Sequence, residues 1–496
     1  MDIWLGKTGV WPATVMICLL VQAILTVIHR PWLDEWQALQ IALQSPDWRT
    51  LFENLRYEGH PPLWYALLRI FSIFVPSLSI LATLQIIVAL TTQLTLFSWT
   101  AYSRAERLLI ASSYFVLIEY GTVSRSLSLG ALLTIAFFTL KSANARSFIL
   151  CLLPLVDFQF GLISIIGLAI MWRDGHWSWV GAIIWLGSSL FAAWSVRPAP
   201  DMIPALDTGT PIAALQTAVN NLSVMMVPFH RWGEHWYWES AIPYPAGFLV
   251  GALFLLFVLK QLERDRFSRG LLATYITANL AFTMIVYPLA LRHLTLIPLL
   301  FLMLKGRLAE QDVDNRRSGA FGAWLLLISI MGMIGATTAF QLPFNTAYQA
   351  ANFIQSKNLQ SKHWVSWPDS RGQGIAALLD IDIHTLGKGC SQSFIRWNFR
   401  DNIDTPEKLN AALKAVSNQY GRFYLISDHD LDRLFSADFV RPLAHFPSGY
   451  DGQAHYLFVV DPDMQESTKR PPRCPPIRNR LSDAGKYQGR QSPPPS

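Results

Sequence analysis

The stretch VWPATVMICLLVQAILTVIHRPWLDEW, residues 10–36, joins a continuous apolar segment to a polar turn that contains two acids. The apolar part, 10–28, is long enough to cross a bilayer as a helix. Asp34 and Glu35 follow after five residues, close to the expected membrane surface. Acidic side chains next to hydrocarbon are costly, so acids gathered at such a surface are candidates for acid–base or metal chemistry.

The remainder of the chain is also strongly apolar. Of its 496 residues 52% are hydrophobic and 15% are charged, and the mean hydropathy is +0.28. This composition excludes an ordinary soluble protein and predicts a polytopic α-helical membrane protein. Apolar windows of about 20 residues predict about 11 spans, at 10–28, 79–100, 107–119, 127–141, 147–156, 159–172, 177–194, 244–260, 270–291, 293–306 and 319–341.

The distribution of basic residues predicts the orientation of the chain. With the N-terminus inside, the inside loops hold thirteen Lys or Arg residues, and the long outside loops 29–78 and 195–243 hold six. Because basic residues are retained on the cytoplasmic side, this asymmetry predicts a cytoplasmic N-terminus and an outer C-terminal region. No cleavage site is clear before Pro31, so the first span is interpreted as a retained signal anchor.

Three regions follow along the chain. Residues 1–341 form the membrane domain, 342–463 a small α/β domain outside the membrane, and 464–496 a Pro-rich tail. The tail holds seven basic and two acidic residues, hence +5 of the net charge of +6, and with few apolar residues it is predicted to be disordered. In the α/β domain, helices are predicted at 347–357, at 373–379 and from Thr405, and strands at 363–367, 393–397, 422–427, 440–445 and 454–460.

The four cysteines are dispersed along the chain. Cys18 and Cys151 lie in predicted spans, and Cys390 and Cys474 lie in polar sequence. This spacing predicts neither a disulfide framework nor a metal–thiolate site.

The first outside loop, 29–78, shows helical periodicity twice. Apolar residues recur at helical spacing over 34–44 and again over 48–57, which predicts two short helices lying in the membrane interface. A third candidate is the aromatic cluster at 232–238 in the second outside loop, typical of an interfacial belt. The two helices would hold acidic residues over a cavity at the outer surface.

Asp34 and Glu35 are candidates for a general base and a neighbour that tunes it. A carboxylate held against apolar surface is expected to have a raised proton affinity, which suits it to deprotonate a hydroxyl. The alternative is a helix N-terminus, where acids are favoured for their charge alone.

The sequence Glu58-Gly59-His60-Pro61-Pro62 closes the same loop and adds a second polar group. Glycine permits close approach of the backbone to a ligand, and the prolines fix the turn into the next helix. Glu58 and His60 form a competent pair for a divalent metal ion or for a phosphate-bearing ligand.

This arrangement resembles the GT-C class of membrane glycosyltransferases, which includes protein O-mannosyltransferases and the aminoarabinose transferase that acts on lipid A. In those enzymes an acidic pair follows the first span, as Asp34-Glu35 does, and a His-Pro-Pro-Leu-like turn closes the first outside loop, as His60 to Leu63 do. The resemblance implies that Asp34 is the catalytic base and Glu35 its partner. The resemblance does not identify a second catalytic acid, and it does not determine whether a metal ion is required.

Two further segments at the predicted outer surface suit this resemblance. Glu119-Tyr120 with Arg125 resembles the Glu-Tyr-x-x-x-x-Arg turn of bacterial members, and a structural Glu119–Arg125 salt bridge is the alternative interpretation. Arg292 and His293 lie between spans nine and ten and supply a second cationic site. An arginine fork suits a lipid-linked phosphate, so all five residues are candidates for substrate binding.

The hypothesis from sequence is a bacterial inner-membrane glycosyltransferase with a periplasmic C-terminal domain. It would transfer a sugar, with inversion, from a polyprenyl-phosphate donor to a lipid, glycan or protein acceptor on the outer side, and nucleic acid is not an expected partner. One alternative is a transporter or flippase for a lipid-linked glycan, because charges within membranes also mark transport routes. Another is a non-catalytic scaffold for polymerisation. No twofold repeat is visible, and the charges cluster at one face, which disfavours the transporter.

Overall fold

The structure is a computed structural model, and it describes residues 2–199, 210–226, 240–311, 318–386, 388–396, 403–432, 434–436 and 438–474. The aromatic cluster predicted at 232–238 lies outside these residues. So does most of the predicted tail.

In the described residues up to Gln341, the regular structure is helical. Its helices are α1 (Asp2–Leu5), α2 (Val10–Ile28), α3 (Leu33–Gln44), α4 (Trp48–Glu58), α5 (Leu63–Phe71), α6 (Ile80–Ser98), α7 (Arg104–Ala111), α8 (Ser126–Thr139), α9 (Ala143–Leu152), α10 (Phe158–Arg173), α11 (Trp179–Ser195), α12 (Pro211–Asn221), α13 (Ala246–Gln261), α14 (Arg266–Ile285), α15 (Leu291–Leu294), α16 (Leu296–Glu310) and α17 (Gly319–Gln341). The two short helices predicted in the first outside loop are confirmed as α3 and α4.

Most predicted spans coincide with one helix, but 107–119 is divided between α7 and a separate π-helical turn at Phe115–Glu119, and the helices differ in length. Within the described residues, three segments are long and apolar enough to cross a membrane: Val10–Ile28, Ser77–Ser98 and Gly319–Gln341. Five shorter apolar segments, of 10 to 17 residues, cover Ser126–Thr139, Ala143–Leu155, Phe158–Arg173, Trp179–Ser195 and Ala246–Gln261. The number of 11 spans therefore stays a prediction.

Helix α16 is the central element of the membrane part. Its residues are buried without interruption from Leu296 to Leu308, so every face of this stretch, including Lys305 and Arg307, packs against the rest of the protein. Arg292 and His293 lie on the short helix α15 that immediately precedes it. The position of these two side chains is therefore tied to the best-packed helix of the bundle.

The C-terminal domain is a mixed α/β unit. Its helices are α18 (Ala347–Ser356), α19 (Gln373–Leu379) and α20 (Pro406–Tyr420), and its strands are β1 (Trp364–Trp367), β2 (Ile383–Thr385), β3 (Cys390–Gln392), β4 (Phe423–Ser427), β5 (Val440–Phe446) and β6 (His455–Val460). The sheet order is β3-β2-β1-β4-β6-β5, with β1 parallel to both β2 and β4 and the remaining pairs antiparallel.

One predicted strand of this domain is wrong. Residues 393–396 belong to no strand, and residue 397 lies outside the described part of the chain. The backbone N–H and C=O of Ile395 bond to the side chain of Gln37 instead of to a neighbouring strand. The backbone groups of Ile395 that would bond to a neighbouring strand are therefore satisfied by a side chain of the membrane domain.

The prediction that the cysteines form no disulfide is also wrong. Cys390 and Cys474 are bonded across a sequence separation of 84 residues. Beside this bond, the Ser391 N–H donates to the Pro472 carbonyl (2.8 Å), and the Cys474 N–H donates to the Ser391 carbonyl (2.9 Å). Residues 464–474, which were predicted to belong to a disordered tail, are thus bound to the C-terminal α/β domain.

The loop before β6 also contacts the segment that follows α17. The Tyr450 N–H donates to the Pro343 carbonyl (2.8 Å), and the Asp451 N–H donates to the Phe344 carbonyl (2.9 Å). The Phe344 ring stacks on Tyr450 and also packs against His29, with centroids 5.6 Å and 4.7 Å away. The loop before β6 is thereby joined to the segment that precedes α3.

Loss of the disulfide should destabilise the outer domain selectively. Cross-linking over a loop of this length contributes about 2–5 kcal/mol. We expect Cys390→Ser to lower the thermal unfolding temperature of the outer domain in the full-length protein and to speed its proteolysis. Cys18→Ser removes a free cysteine instead and is the control. Equal stability of the two variants would contradict the expectation.

Candidate active site

Asp34 is the centre of a cluster of ion pairs. It lies in the first turn of α3, and its Oδ2 is 2.8 Å from a terminal nitrogen of Arg125 and 2.8 Å from one of Arg292. The three side chains are 21%, 10% and 13% exposed, respectively. The structure therefore brings together three residues from separate parts of the sequence, each predicted at the outer surface.

The turn that carries Arg125 is held by buried side chains. A π-helical turn over Phe115–Glu119 precedes it, and such turns leave backbone carbonyls without their ordinary helical partners. Gln85 donates to the Tyr120 carbonyl (2.8 Å), and the Ser124 hydroxyl donates to the Leu81 carbonyl (3.0 Å). These bonds satisfy the irregular backbone and fix the start of α8, where Arg125 lies.

Glu35 is placed differently from its sequence neighbour. It is completely buried, and its carboxylate accepts from the Ser124 N–H (2.6 Å), the Trp32 N–H (3.0 Å) and the His29 ring (2.8 Å). Successive helical residues point about 100° apart, so the printed bonds of Glu35 are to Ser124, Trp32 and His29 and not to the arginines of Asp34. Its role as a catalytic partner stays a prediction. Glu35 ties α3 to the Arg125 turn.

His60 lies on the other side of Arg125. Its Nδ1 is 2.8 Å from the Glu58 carbonyl, and its Nε2 is 3.3 Å from a terminal nitrogen of Arg125. The carbonyl accepts only and the guanidinium donates only, so the ring is neutral with its hydrogen on Nδ1. Burial and the Arg125 charge lower the pKa of His60.

Asp157 belongs to the same cluster, and the sequence analysis missed it. It caps the N-terminus of α10, is 4% exposed, and places Oδ2 3.9 Å from His60 Nε2. Burial raises the pKa of Asp157 above its usual range. The sequence did carry a signal for Asp157, because it is an acid between the predicted spans 147–156 and 159–172. Acids within membranes are rare and commonly functional.

The remaining candidates lie around Arg292. The Tyr120 hydroxyl is 2.6 Å from Thr295 Oγ1, which donates to the Arg292 carbonyl. His293 is buried and contacts Tyr287 edge-on, with ring centroids 6.3 Å apart. Tyr120 and His293 therefore lie beside the backbone that presents Arg292.

Glu119 is buried at the end of the π-helical turn. The ion pair of Arg125 is made with Asp34, so the alternative of a local Glu119–Arg125 salt bridge is replaced by a long-range pair.

The electrostatics of Asp34 differ from the expectation. Burial alone would raise its pKa, but the charges of Arg125 and Arg292 outweigh burial and hold the pKa below its usual range. The raised proton affinity predicted from the apolar surroundings is therefore wrong for this arrangement. In this state Asp34 is a counter-ion for two guanidinium groups.

The donor set does not suit a metal ion. In the described part of the chain, no three His, Cys, Asp or Glu side chains are grouped to hold one. The Glu58 carboxylate accepts from Gln37 (2.7 Å), and the free nitrogen of His60 faces a guanidinium that would repel a cation. The predicted metal role of Glu58 and His60 is therefore not supported by their geometry.

The lowered pKa of Asp34 predicts a pH dependence of stability. A carboxyl group whose folded pKa is depressed stabilises the fold above its unfolded pKa, about 3.9, and this contribution is lost as the pH falls through the folded value. Arg292→Gln removes one of the two positive charges that lower the Asp34 pKa. The stability lost on acidification should therefore be smaller in this variant. We expect the melting temperature of the variant to fall less steeply below about pH 4 than that of the wild type.

The control for this measurement is Arg49→Gln, because Arg49 is a solvent-exposed residue of α4. It should reproduce the wild-type pH profile between pH 2.5 and 6 in detergent solution. Identical slopes for Arg292→Gln and the wild type would refute the assigned cause of the pKa shift.

Comparison with protein-family models gives no match, and comparison with curated protein sequences gives none either. Among solved structures, the arabinofuranosyltransferase AftD from Mycobacteria is similar to this chain at 11% identity, with a TM-score of 0.35. The alignment covers 90% of this chain and 41% of that one, so the chain spans about two-fifths of its length. A similarity at this level carries no argument about activity.

Proposed function

We propose that this protein is a membrane glycosyltransferase that moves a sugar from a polyprenyl-phosphate donor to an acceptor on the outer side of the membrane. The observation that carries the proposal is the Asp34 carboxylate bound to both Arg125 and Arg292. Two arginines and an acid at one surface suit a reaction between a lipid phosphate and a hydroxyl.

The arginines are proposed to bind the donor phosphate. A guanidinium matches a phosphate with two parallel hydrogen bonds, and both groups are largely buried, which strengthens their attraction for an anion. The donor phosphate would compete with Asp34 for the same nitrogens. The polyprenyl chain would lie against the apolar surface of the bundle.

Displacement from the arginines would convert Asp34 into a base. Once the phosphate neutralises Arg125 and Arg292, the influence that lowers the Asp34 pKa is weakened and the effect of burial remains. Asp34 then accepts the hydroxyl proton while the acceptor oxygen forms a bond to the anomeric carbon. The bond from that carbon to the phosphate oxygen breaks, polyprenyl phosphate leaves, and the anomeric centre is inverted.

Asp157 and His60 are proposed to complete the anion site. Burial raises the Asp157 pKa, which favours its neutral form, and the neutral His60 ring accepts from Arg125. The neutral His60 ring adds no charge of its own, so it leaves the positive charge of Arg125 available for phosphate.

The predicted sidedness is supported by the disulfide. The Cys390–Cys474 bond is of a kind that persists in oxidising compartments such as the bacterial periplasm. It agrees with the excess of basic residues in the opposite loops, which predicts a cytoplasmic N-terminus. Both observations favour a periplasmic outer domain on a protein of the bacterial inner membrane.

Asp34→Asn separates the two proposed roles of the carboxylate. Transfer should fall by roughly 10²–10⁴-fold, because a positioned base contributes that much. Donor binding should be unchanged or tighter, because the competing negative charge is gone. The measurement is transfer from membrane lipid extracts, together with binding of polyprenyl phosphate; full retained activity would rule out the base assignment.

Arg125→Gln and Arg292→Gln should instead weaken donor binding. We expect each to raise the KM for the donor by about tenfold or more, because a hydrogen bond to a charged group is worth about 1.5–3 kcal/mol. Arg49→Gln is the control and should behave as the wild type. The sugar and acceptor can be found by mass spectrometry of glycolipids and surface glycans from a deletion strain.

A further inference from the structure

Gln37 lies one helical turn after Asp34 and connects α3 to two other parts of the protein. Its Oε1 accepts from the Ile395 N–H (2.8 Å), and its Nε2 donates to the Ile395 carbonyl (2.9 Å) and to Glu58 Oε1 (2.7 Å). Gln37 is 3% exposed. Because its oxygen faces a donor and its nitrogen faces two acceptors, the orientation of the amide is determined by its partners.

Other side chains of α3 reinforce this contact with the outer domain. Gln44 accepts from the Ser393 hydroxyl, and Gln373 of α19 donates to Gln40 Oε1 (3.2 Å) in the orientation that satisfies both ends of its amide. Gln37, Gln40 and Gln44 are spaced at i, i+3 and i+7, so they share one face of α3. The C-terminal domain is therefore hydrogen-bonded along one face of the helix that carries Asp34.

Gln37 differs from Gln40 and Gln44 because it also makes a hydrogen bond within the membrane domain. It alone, among these three, also holds Glu58, which precedes His60 at the end of α4. Asp34, Gln37 and Glu58 are therefore linked through one helix turn and one hydrogen bond. A shift of the outer domain would be transmitted to the first turn of α3 and to the His60 turn together.

We propose that Gln37 is a positioning residue through which the outer domain fixes the Asp34 turn against the His60 turn. This inference rests on the proposed function, because it assigns the outer domain a part in that same site. Reacting groups must be held within a fraction of an ångström, and a misplacement of about 1 Å can cost roughly 10²-fold in rate. The alternative is that the glutamines only hold two domains together.

Gln37→Glu and Gln44→Glu form a matched pair of variants. The first replaces a nitrogen that donates to two acceptors by an oxygen, which repels the Ile395 carbonyl and the Glu58 carboxylate. The second retains the acceptor that Ser393 requires. Both changes are isosteric, add the same charge and lie on the same face of the same helix.

The variants are compared as full-length protein in detergent at pH 8. We expect Gln37→Glu to lower kcat by roughly 10- to 100-fold, with the donor KM changed less than about threefold, and Gln44→Glu to match the wild type. The deficit should shrink at lower pH, because a protonated carboxyl group can again donate a hydrogen bond to Glu58. Hydrogen exchange of α3 and of residues 390–396 should accelerate together in Gln37→Glu only.

The outcomes separate this inference from the proposed function. If the wild type transfers sugar and Gln37→Glu is as active as Gln44→Glu, the positioning role is refuted while the proposed function stands. If the wild type transfers nothing, the proposed function fails. Hydrogen exchange then decides the coupling: unchanged exchange of α3 in Gln37→Glu refutes it, and joint acceleration of both segments supports it.

Discussion

The pairing of one carboxylate with two guanidinium groups determines how the rest of the candidate site is built. Asp34 alone would be an unfavourable charge beside apolar helices, and Arg125 and Arg292 would repel each other without it. Removing one partner of a buried ion pair commonly costs about 3–5 kcal/mol. The bundle must therefore bring three distant segments to one point, and several buried polar side chains nearby hold the backbone of those segments.

Buried amides carry out much of this positioning. Gln85 satisfies the backbone before the Arg125 turn, Gln159 donates to the His293 carbonyl beside Arg292, and Gln37 joins α3 to the outer domain. An amide is neutral, so it supplies both a donor and an acceptor without the desolvation cost of a charge. Polar groups of this kind hold irregular backbone in place inside an otherwise apolar bundle.

The sequence predicted the segments better than the contacts between them. Apolar length and basic-residue asymmetry placed Asp34, Arg125 and Arg292 at one surface, because both signals are local. Glu35 was grouped with Asp34 through adjacency, although neighbouring helical residues point in different directions. The Gln37–Ile395 pairing joins residues 358 positions apart, and the disulfide closes over 84 residues, so neither leaves a local pattern in the sequence.

The most direct test of the account is a structure of the protein with a non-transferable polyprenyl-phosphate sugar analogue. We expect the phosphate to lie within hydrogen-bond distance of both Arg125 and Arg292, and the Asp34 carboxylate to have left them and to face the anomeric carbon. A phosphate bound elsewhere, with both ion pairs of Asp34 intact, would contradict it.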